Sequence, residues 1–270
     1  MANWIDIAYG IGVGLSAPYW LLRPTARRKV LGALERRMAR DLPQRDLSKS
    51  AVWIHAVSVG EINATRSLAT QLKRARPDLH IILSATTDTG FARATELYSR
   101  ASDVTVVRYP LDFSSAVERA LDQLRPAVVV LMELEVWPNF VHACARRGIP
   151  VVLANGRLTL PSLRRYSLVK PVARAMFRKL AAVCAQDEVY AERFKQLGVA
   201  PERTVVTGTM KFDSAAIVDV VEGAPELARA VGLMKAEFEP ASWRACWEHG
   251  VLGRPAAAVA SEMGVSVNSV

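Results

Sequence analysis

The stretch Ala51-Val-Trp-Ile-His-Ala-Val-Ser-Val-Gly-Glu61 decides the fold class of this 270-residue chain. Its first seven residues form a nearly continuous apolar run, which is typical of a strand buried on both faces of a parallel sheet. The chain then passes through Ser58 and Gly60 into residues 61–76, an amphipathic stretch that indicates a helix. A buried strand followed at once by a helix predicts a repeating unit of an α/β domain.

The same alternation of short apolar runs and amphipathic stretches continues to residue 207. It predicts a Rossmann-like parallel sheet with helices on both faces, in which ligands bind at the carboxyl ends of the strands. We therefore expect one α/β domain at 51–214, followed by a linker and a short helical tail at 215–270. The predicted strands are 51–57, 80–86, 104–108, 127–135, 150–155, 181–185 and 204–207, and the predicted helices are 61–76, 89–99, 114–124, 139–147, 170–180 and 188–197.

Composition excludes several classes of protein. Apolar residues make up 51% of the chain and charged residues 23%, which permits a sizeable core and rules out a disordered or collagen-like chain. The three cysteines are too few and too spread for a disulfide framework, and the four histidines lack metal-ligand spacing, so we expect no zinc site. We expect no cofactor. The net charge of +9 favours an anionic partner, namely lipid, nucleic acid or phosphate.

The first 50 residues differ from the rest of the chain. Residues 7–22 are uncharged and mostly apolar, with aromatic side chains near both ends, as a bilayer interface favours. Residues 23–49 then hold nine basic and three acidic side chains, a net charge of +6. We expect a membrane anchor helix at 1–22 and a basic juxtamembrane segment at 23–50. The positive-inside rule then places the remainder at the cytoplasmic face of the membrane.

Three interpretations of residues 7–22 stay open. The run is short of the roughly 20 residues that span a bilayer, and Asp6 and three glycines weaken a spanning helix further. The helix could instead lie in the interface, with the following arginines on anionic headgroups. It could also be a glycine-rich helix that packs on the protein's own domain.

The first strand-helix junction offers a candidate catalytic group. Ser58 can cap the helix, and Gly60 permits close approach to the backbone. Glu61 would lie in the first helical turn, where the helix dipole favours the carboxylate form and leaves it able to accept a proton. The alternative is an ordinary first-turn glutamate that only stabilises the helix.

Two further strand ends carry candidate binding residues. After the second strand, Thr87, Thr89 and Gly90 provide hydroxyls and amides that suit a sugar or a phosphate, or simply cap a loop. At the end of the fourth predicted strand, Glu133 and Glu135 stand two residues apart and would point to the same face. Ionised acids at the end of a buried strand are costly unless they are paired or lie in a solvated cleft, which favours a functional site.

Basic residues follow the fifth and seventh strands. Arg157 begins a predicted basic loop that continues through Arg164, Arg165 and Lys170 and suits an anionic ligand. A solvated surface run is the alternative. Lys211 follows the seventh strand and would face the same crevice.

Four longer segments of the chain can be compared with known families. They are Trp53-Ile-His-Ala-Val-Ser-Val-Gly-Glu61, Met132-Glu-Leu-Glu-Val-Trp-Pro-Asn139, Ala154-Asn-Gly-Arg157 and Gly208-Thr-Met-Lys-Phe-Asp213. Together these segments resemble the Kdo (3-deoxy-D-manno-octulosonic acid) transferase family. The resemblance runs in order, with consistent spacing, from the predicted anchor to about residue 214.

The resemblance implies an activity and a place for it. It implies a glycosyltransferase of lipopolysaccharide biosynthesis that moves Kdo from CMP-Kdo to a lipid A precursor at the cytoplasmic face of the inner membrane. The implied fold is GT-B, whose amino-terminal Rossmann-like half binds the acceptor. Glu61 falls on the family's general-base position, in an inverting reaction that needs no metal. Glu133 and Glu135 match a second acidic motif that shapes the acceptor site.

The same resemblance implies a donor domain of roughly 150–200 residues, whereas residues 215–270 follow the matched part. We therefore expect a chain that lacks most of its donor site and is incomplete or inactive alone. Residues 233–270 resemble the helix-turn-helix region of extracytoplasmic-function sigma factors, with Met263-Gly-Val-Ser266 as the turn. The alternatives are a non-catalytic protein that holds the lipid A precursor and a DNA-binding fusion. Nucleic acid is disfavoured, because the chain stops before the basic end of a recognition helix.

Overall fold

A computed structural model describes residues 3–210 together with Ala258, Ser261 and Glu262. The chain divides into two units, Met1–Ile217 and Val218–Val270, and the geometry below concerns the first. Lys211 and nearly all of the predicted 215–270 tail, including the sigma-factor-like segment, lie outside the described residues. The helices are α1 (Trp4–Leu21), α2 (Pro24–Arg37), α3 (Val59–Ala75), α4 (Asp88–Leu97), α5 (Ser114–Leu124), α6 (Pro138–Arg146), α7 (Leu160–Leu168), α8 (Lys170–Phe177) and α9 (Glu188–Gln196).

The strands form one parallel sheet in the order β3-β2-β1-β4-β5-β6-β7, which confirms the predicted α/β class. The direction of the connections reverses between β1 and β4, the position at which doubly wound sheets bind ligands. The strands are β1 (Ala51–Ala56), β2 (His80–Ala85), β3 (Val104–Arg108), β4 (Val128–Met132), β5 (Val151–Gly156), β6 (Ala182–Ala185) and β7 (Thr204–Val206).

Helices cover both faces of the sheet, as predicted. Because side chains alternate along a strand, neighbouring residues of β1 enter different cores. Trp53 packs in one apolar cluster with Phe140 and Phe177, whereas Ile54 packs in the other with Ile81. All six residues of β1 and of β2 are buried, which explains their unbroken apolar pattern.

The predicted fourth strand, 127–135, is too long. β4 ends at Met132, and Glu133 takes a left-handed backbone conformation with φ 54°, which breaks the strand. The inference that Glu133 and Glu135 point to one face of a strand is therefore wrong, because the two carboxylates stand on a turn.

The helix predicted near the amino terminus is present as α1. Asn3 caps it by accepting hydrogen bonds from the N–H groups of Ile5 and Asp6. Most of its apolar side chains are exposed, including Trp4 and Leu15. No helix in the described part of the chain is long and apolar enough to cross a bilayer. Helix α1 has 18 residues, carries the Asp6 carboxylate in its first turn and contains Pro18.

The first part of the basic segment 23–50 forms α2. Arg37 and Arg45 of this segment bind backbone carbonyl oxygens of the protein. Arg37 Nε donates to the Tyr109 carbonyl oxygen at 2.8 Å, and Arg45 donates to four carbonyl oxygens, among them that of Leu124 at 2.6 Å.

Candidate functional site

Parallel strands bring most of the candidate side chains to one edge of the sheet. The ends of β2, β1, β4 and β5 lie side by side in that order. Thr87 follows β2, Glu61 follows β1, Glu133 and Glu135 follow β4, and Arg157 follows β5. Glu61 and the acidic pair therefore flank the position where the sheet reverses direction, which is the ligand crevice of this class of fold.

Ser58 and Glu61 cap α3 together. The Glu61 backbone N–H lies 3.4 Å from Ser58 Oγ, and the Ser58 hydroxyl donates to Glu61 Oε1 at 3.0 Å. The other carboxylate oxygen, Oε2, accepts from the Val57 N–H at 3.1 Å. Each oxygen keeps a second lone pair, so the held carboxylate can still accept a proton from a ligand.

Gly60 is exposed and stands over open space. A methyl group added there would meet only Ser58 Oγ, at 4.0 Å. Packing within the described fold therefore does not require glycine at this position. The open space leaves the backbone beside Glu61 accessible to a ligand.

The loop after β2 contacts the loop after β1 next to the candidate site. Thr87 Oγ1 donates to the Val57 carbonyl oxygen at 2.8 Å and accepts from the Gly90 N–H at 3.1 Å. A methyl group on Gly90 would come within 2.8 Å of both oxygens, so the close approach of the two loops requires glycine. Thr87 and Gly90 thus act as a capped loop, the alternative that composition left open, while Thr89 remains exposed.

The Glu135 carboxyl group at this edge has a shifted pKa. Its Oε2 accepts from the indole N–H of Trp137 at 2.9 Å. Burial raises the pKa of Glu135, and the nearby carboxylates of Glu61 and Glu133 add to that rise, against the opposing effects of Trp137 and Arg37. The acids are therefore close enough to share one electrostatic environment, as expected where a site handles protons.

His55 was missed by sequence reasoning. It is fully buried in β1, its ring stacks on Tyr109 with centroids 3.6 Å apart, and its Nδ1 lies 3.0 Å from Ser84 Oγ. Burial lowers the pKa of His55 to about 3, so the ring is neutral at pH 7. Its Nε2 lies 3.9 Å from Glu135 Oε2, so the neutral ring adjoins the acidic side chains.

Arg37 was also missed, because it was counted within the basic run. Its guanidinium is half-buried at the same edge, where burial lowers its pKa and Tyr109 and Glu135 favour its charged form. A signal was available for His55, since a single polar residue interrupts an otherwise apolar strand. No comparable signal separated Arg37 from its neighbours.

The basic residues after β5 do not form one loop. Arg157 is exposed, and its pKa is raised by a hydrogen bond with Tyr190 and by the charge of Glu133. Arg164 and Arg165 lie on α7, and Lys170 begins α8, so the prediction of a continuous basic loop is wrong. The sequence of α7 reads as a loop because no residue of this helix is fully buried.

Comparison with protein families gives a match that covers most of the described domain. The family described as "3-Deoxy-D-manno-octulosonic-acid transferase (kdotransferase)" matches residues 31–214. Within the described residues, no three His, Cys, Asp or Glu side chains are grouped as metal ligands.

Individual relatives carry the same description. A 3-deoxy-D-manno-octulosonic acid transferase of Haemophilus influenzae is 34% identical over 60% of this chain and 38% of its own length. The protein of the same name from Bordetella pertussis is 35% identical over 61% of this chain and 38% of its own length. The chain thus spans about two fifths of the length of these curated relatives.

Solved structures resemble the chain in fold alone. A UDP-N-acetylglucosamine 2-epimerase of Listeria monocytogenes, described as putative, superposes with a TM-score of 0.52 at 10% identity over 77% of this chain and 60% of that one. The UDP-GlcNAc 2-epimerase of Neisseria meningitidis gives 0.50 at 11% identity, over 70% and 55%.

Proposed function

Because this chain belongs to the 3-deoxy-D-manno-octulosonic-acid transferase (kdotransferase) family, we propose that its described domain binds the lipid A precursor and provides Glu61 as the base for Kdo transfer. CMP-Kdo is the proposed donor. The observation that carries the proposal is the position of Glu61, whose held carboxylate stands beside the open space at Gly60 where the sheet reverses direction.

In the proposed step the acceptor hydroxyl loses its proton to a Glu61 oxygen as it attacks the anomeric carbon of Kdo. A new carbon–oxygen bond forms, the bond from that carbon to the phosphate oxygen breaks, and CMP leaves with the electron pair. The configuration inverts because attack comes from the opposite face. A positioned base of this kind contributes roughly 10²–10⁴-fold to the rate.

The surrounding charges support an acceptor with both hydroxyl and phosphate groups. Glu133 and Glu135 can accept hydrogen bonds from sugar hydroxyls, and Arg157 is a cation at the same edge that can face a phosphate. Thr89 is an exposed hydroxyl on the neighbouring loop. Lys211 remains a candidate, although it lies outside the described residues.

We also propose that the domain works at the cytoplasmic face of the inner membrane. The exposed apolar residues of α1 and the basic residues of α2 support an interfacial contact, in which apolar side chains enter the lipid and cations meet anionic headgroups. Washing membranes with salt and with carbonate tests this. A chain found in the soluble fraction before any wash would contradict the proposal.

A second candidate function is acceptor binding without a catalytic base. The hydrogen bonds from Val57 and Ser58 to Glu61 favour it, because they are also the bonds of a residue that only caps a helix. In that case the acidic edge would hold the precursor, and a glutamine at position 61 would leave every activity of the chain unchanged.

The experiment separates binding from transfer. Binding of the tetraacylated precursor in detergent micelles and Kdo incorporation from CMP-Kdo are measured for the chain and for a chimera that continues into the carboxyl-terminal part of the Haemophilus influenzae relative. Glu61→Gln should keep precursor affinity within about threefold and reduce transfer by about 10²-fold or more. Glu192→Gln, which removes a surface carboxylate on α9, is the matched control. Undiminished transfer by Glu61→Gln would rule out the base, and failure to bind the precursor would rule out the acceptor site.

A further inference from the structure

We propose that the junction between α7 and α8 is a second contact with an anionic lipid bilayer, next to α1. Five consecutive residues, 167–171, are exposed there. Leu168 is 86% exposed and Val169 is 51% exposed, so two adjacent apolar side chains stand at the tip of a helical hairpin. The inference rests on the proposed function in one respect, because both place the same domain at a membrane.

Folding does not account for these two side chains. Helix α7 packs on the core through Leu163 and Tyr166, and the Tyr166 ring meets Phe177 edge to face at 5.2 Å. Val169 occupies the N-cap position of α8 without a side-chain hydrogen bond, where Ser, Thr, Asp or Asn would stabilise the helix. The fold therefore does not require an apolar pair at this exposed helix junction, which favours contact of the pair with a partner.

The charges around the tip indicate what that partner is. Arg164, Arg165 and Lys170 flank the two apolar side chains, and all three are exposed. Among the described residues, none of the three has an acidic partner within 4.0 Å, whereas Arg146 and Arg147 nearby in sequence both bind Glu118. Apolar side chains flanked by exposed cations suit the boundary between acyl chains and anionic headgroups.

The junction adjoins the helix already proposed to meet the membrane. A groove of about 350 Å³ runs between the first turn of α1 and α8, and its walls include Trp4, Ile5, Pro171 and Val172. Further along α1, burial raises the pKa of Tyr9, and Tyr166 of α7 is among the groups that add to the rise. The first turn of α1 and the α7–α8 hairpin therefore lie next to each other.

The placement also connects the contact to the candidate site. Burial raises the pKa of Tyr166, and the charge of Glu135 contributes to that rise. The helix that ends at Leu168 thus passes close to the acidic edge. A bilayer held by both α1 and the hairpin would bring the headgroup of a lipid acceptor to that edge.

The test is partition of the full chain onto vesicles of phosphatidylglycerol and phosphatidylcholine, compared with vesicles of phosphatidylcholine alone. Leu168→Gln should weaken partition onto the anionic vesicles about tenfold, because it removes the burial of one leucine side chain. Val169→Ser should weaken it as well while thermal stability stays equal or rises. Val189→Gln, an exposed apolar position on α9, is the matched control and should bind like the wild type.

The charge component is tested by replacing Arg164 and Arg165 together with glutamine. That variant should lose most of its preference for the anionic vesicles, whereas Arg100→Gln should keep it. Hydrogen exchange across 160–177 should slow when wild-type protein binds vesicles.

Three results would overturn the proposal in distinguishable ways. If Leu168→Gln and Val169→Ser bind vesicles like the wild type while Ile11→Asn in α1 does not, the hairpin is not a membrane contact although α1 is. If Leu168→Gln changes sedimentation and not vesicle binding, the tip meets a second copy of the chain. If wild-type protein does not bind vesicles but binds the precursor in micelles, both proposed membrane contacts are contradicted and the proposed acceptor site is supported.

Discussion

The Tyr9 hydroxyl donates a 3.0 Å hydrogen bond to Oδ2 of Asp112, a residue 103 positions further along the chain. The same carboxylate accepts from the backbone N–H groups of Asn139 and Phe140, at 3.1 and 2.8 Å, and so caps α6, whose own N-cap residue has no side-chain cap bond. Asp6 does the same for α5 by accepting from the Ser114 N–H at 2.8 Å. Helix α1 is therefore fixed to the domain by polar bonds at its amino-terminal end.

Removing the Tyr9 hydroxyl should loosen that attachment. Tyr9→Phe keeps the ring and its edge-to-face contact with Phe113, so we expect a loss of about 1 kcal/mol and faster hydrogen exchange in α1, with exchange in the sheet unchanged. Tyr19→Phe is the control, because among the described residues the Tyr19 hydroxyl bonds only the exposed Arg23, near the other end of the helix. Equal effects of the two substitutions would mean that the bond to Asp112 does not hold α1.

Asp112 should make stability depend on pH in an unusual direction. Burial raises its pKa to about 6, against about 3.9 in an unfolded chain, so the folded state binds the proton first as the pH falls. Its contribution to stability is complete below about pH 4 and is lost as the pH rises through 6, a difference of roughly 2–3 kcal/mol.

The measurement is the free energy of unfolding between pH 4 and 7 for the wild type and Asp112→Asn. The variant should lack the component that strengthens toward low pH. His55 acts in the opposite direction, because its lowered pKa of about 3 costs stability as the pH falls below about 6.5. The difference between the two proteins therefore isolates Asp112, and parallel curves would show that this carboxyl group does not titrate differently on folding.

Two glycines of the candidate site should respond in opposite ways to alanine. Gly60→Ala should leave stability unchanged or raise it by up to about 1 kcal/mol, since space is open and alanine favours a helix, while it weakens binding of the precursor. Gly90→Ala should cost about 1–3 kcal/mol, because its methyl group would clash with two oxygens. Urea unfolding and precursor binding are the two measurements. A destabilised Gly60→Ala protein would show that this glycine is structural.

Two adjacent arginines in the basic segment should differ in how much they contribute to stability. Arg37→Ala removes the half-buried guanidinium that donates to the Tyr109 carbonyl oxygen, and should cost about 1–3 kcal/mol in urea unfolding. Arg36→Ala removes only an exposed ion pair with Asp88 at 3.8 Å, and should change stability by no more than about 0.5 kcal/mol. Similar losses from both variants would mean that the segment stabilises the domain by its total charge.

Local sequence predicted two elements to the residue. The strand at 104–108 and the helix at 114–124 have the bounds that the structure gives them. Other limits differ by a few residues where capping decides them. Helix α7 was missed because it rests on the core by one side only, which leaves too few apolar positions for a periodic pattern.

The candidate site was predicted in part. A parallel sheet places the ends of its strands at one edge, so Glu61, Glu133, Glu135 and Arg157 could be expected there. Their orientation could not be predicted, because a single left-handed residue at Glu133 turns the chain and no neighbouring residue signals it. His55 and Arg37 join the site through contacts that their local sequence does not encode.

The sequence by itself determined the α/β class, the strand-helix order and the residues that stand at each strand end. It could do so because a strand buried on both faces must be apolar over consecutive positions, and that requirement is local. Only the tertiary structure decided which groups meet. The bonds of Tyr9 to Asp112 and of Arg37 to Tyr109 join residues 103 and 72 positions apart. Their free energy depends on distance in space and on removal from water, and neither can be predicted from the residues next to them in the chain.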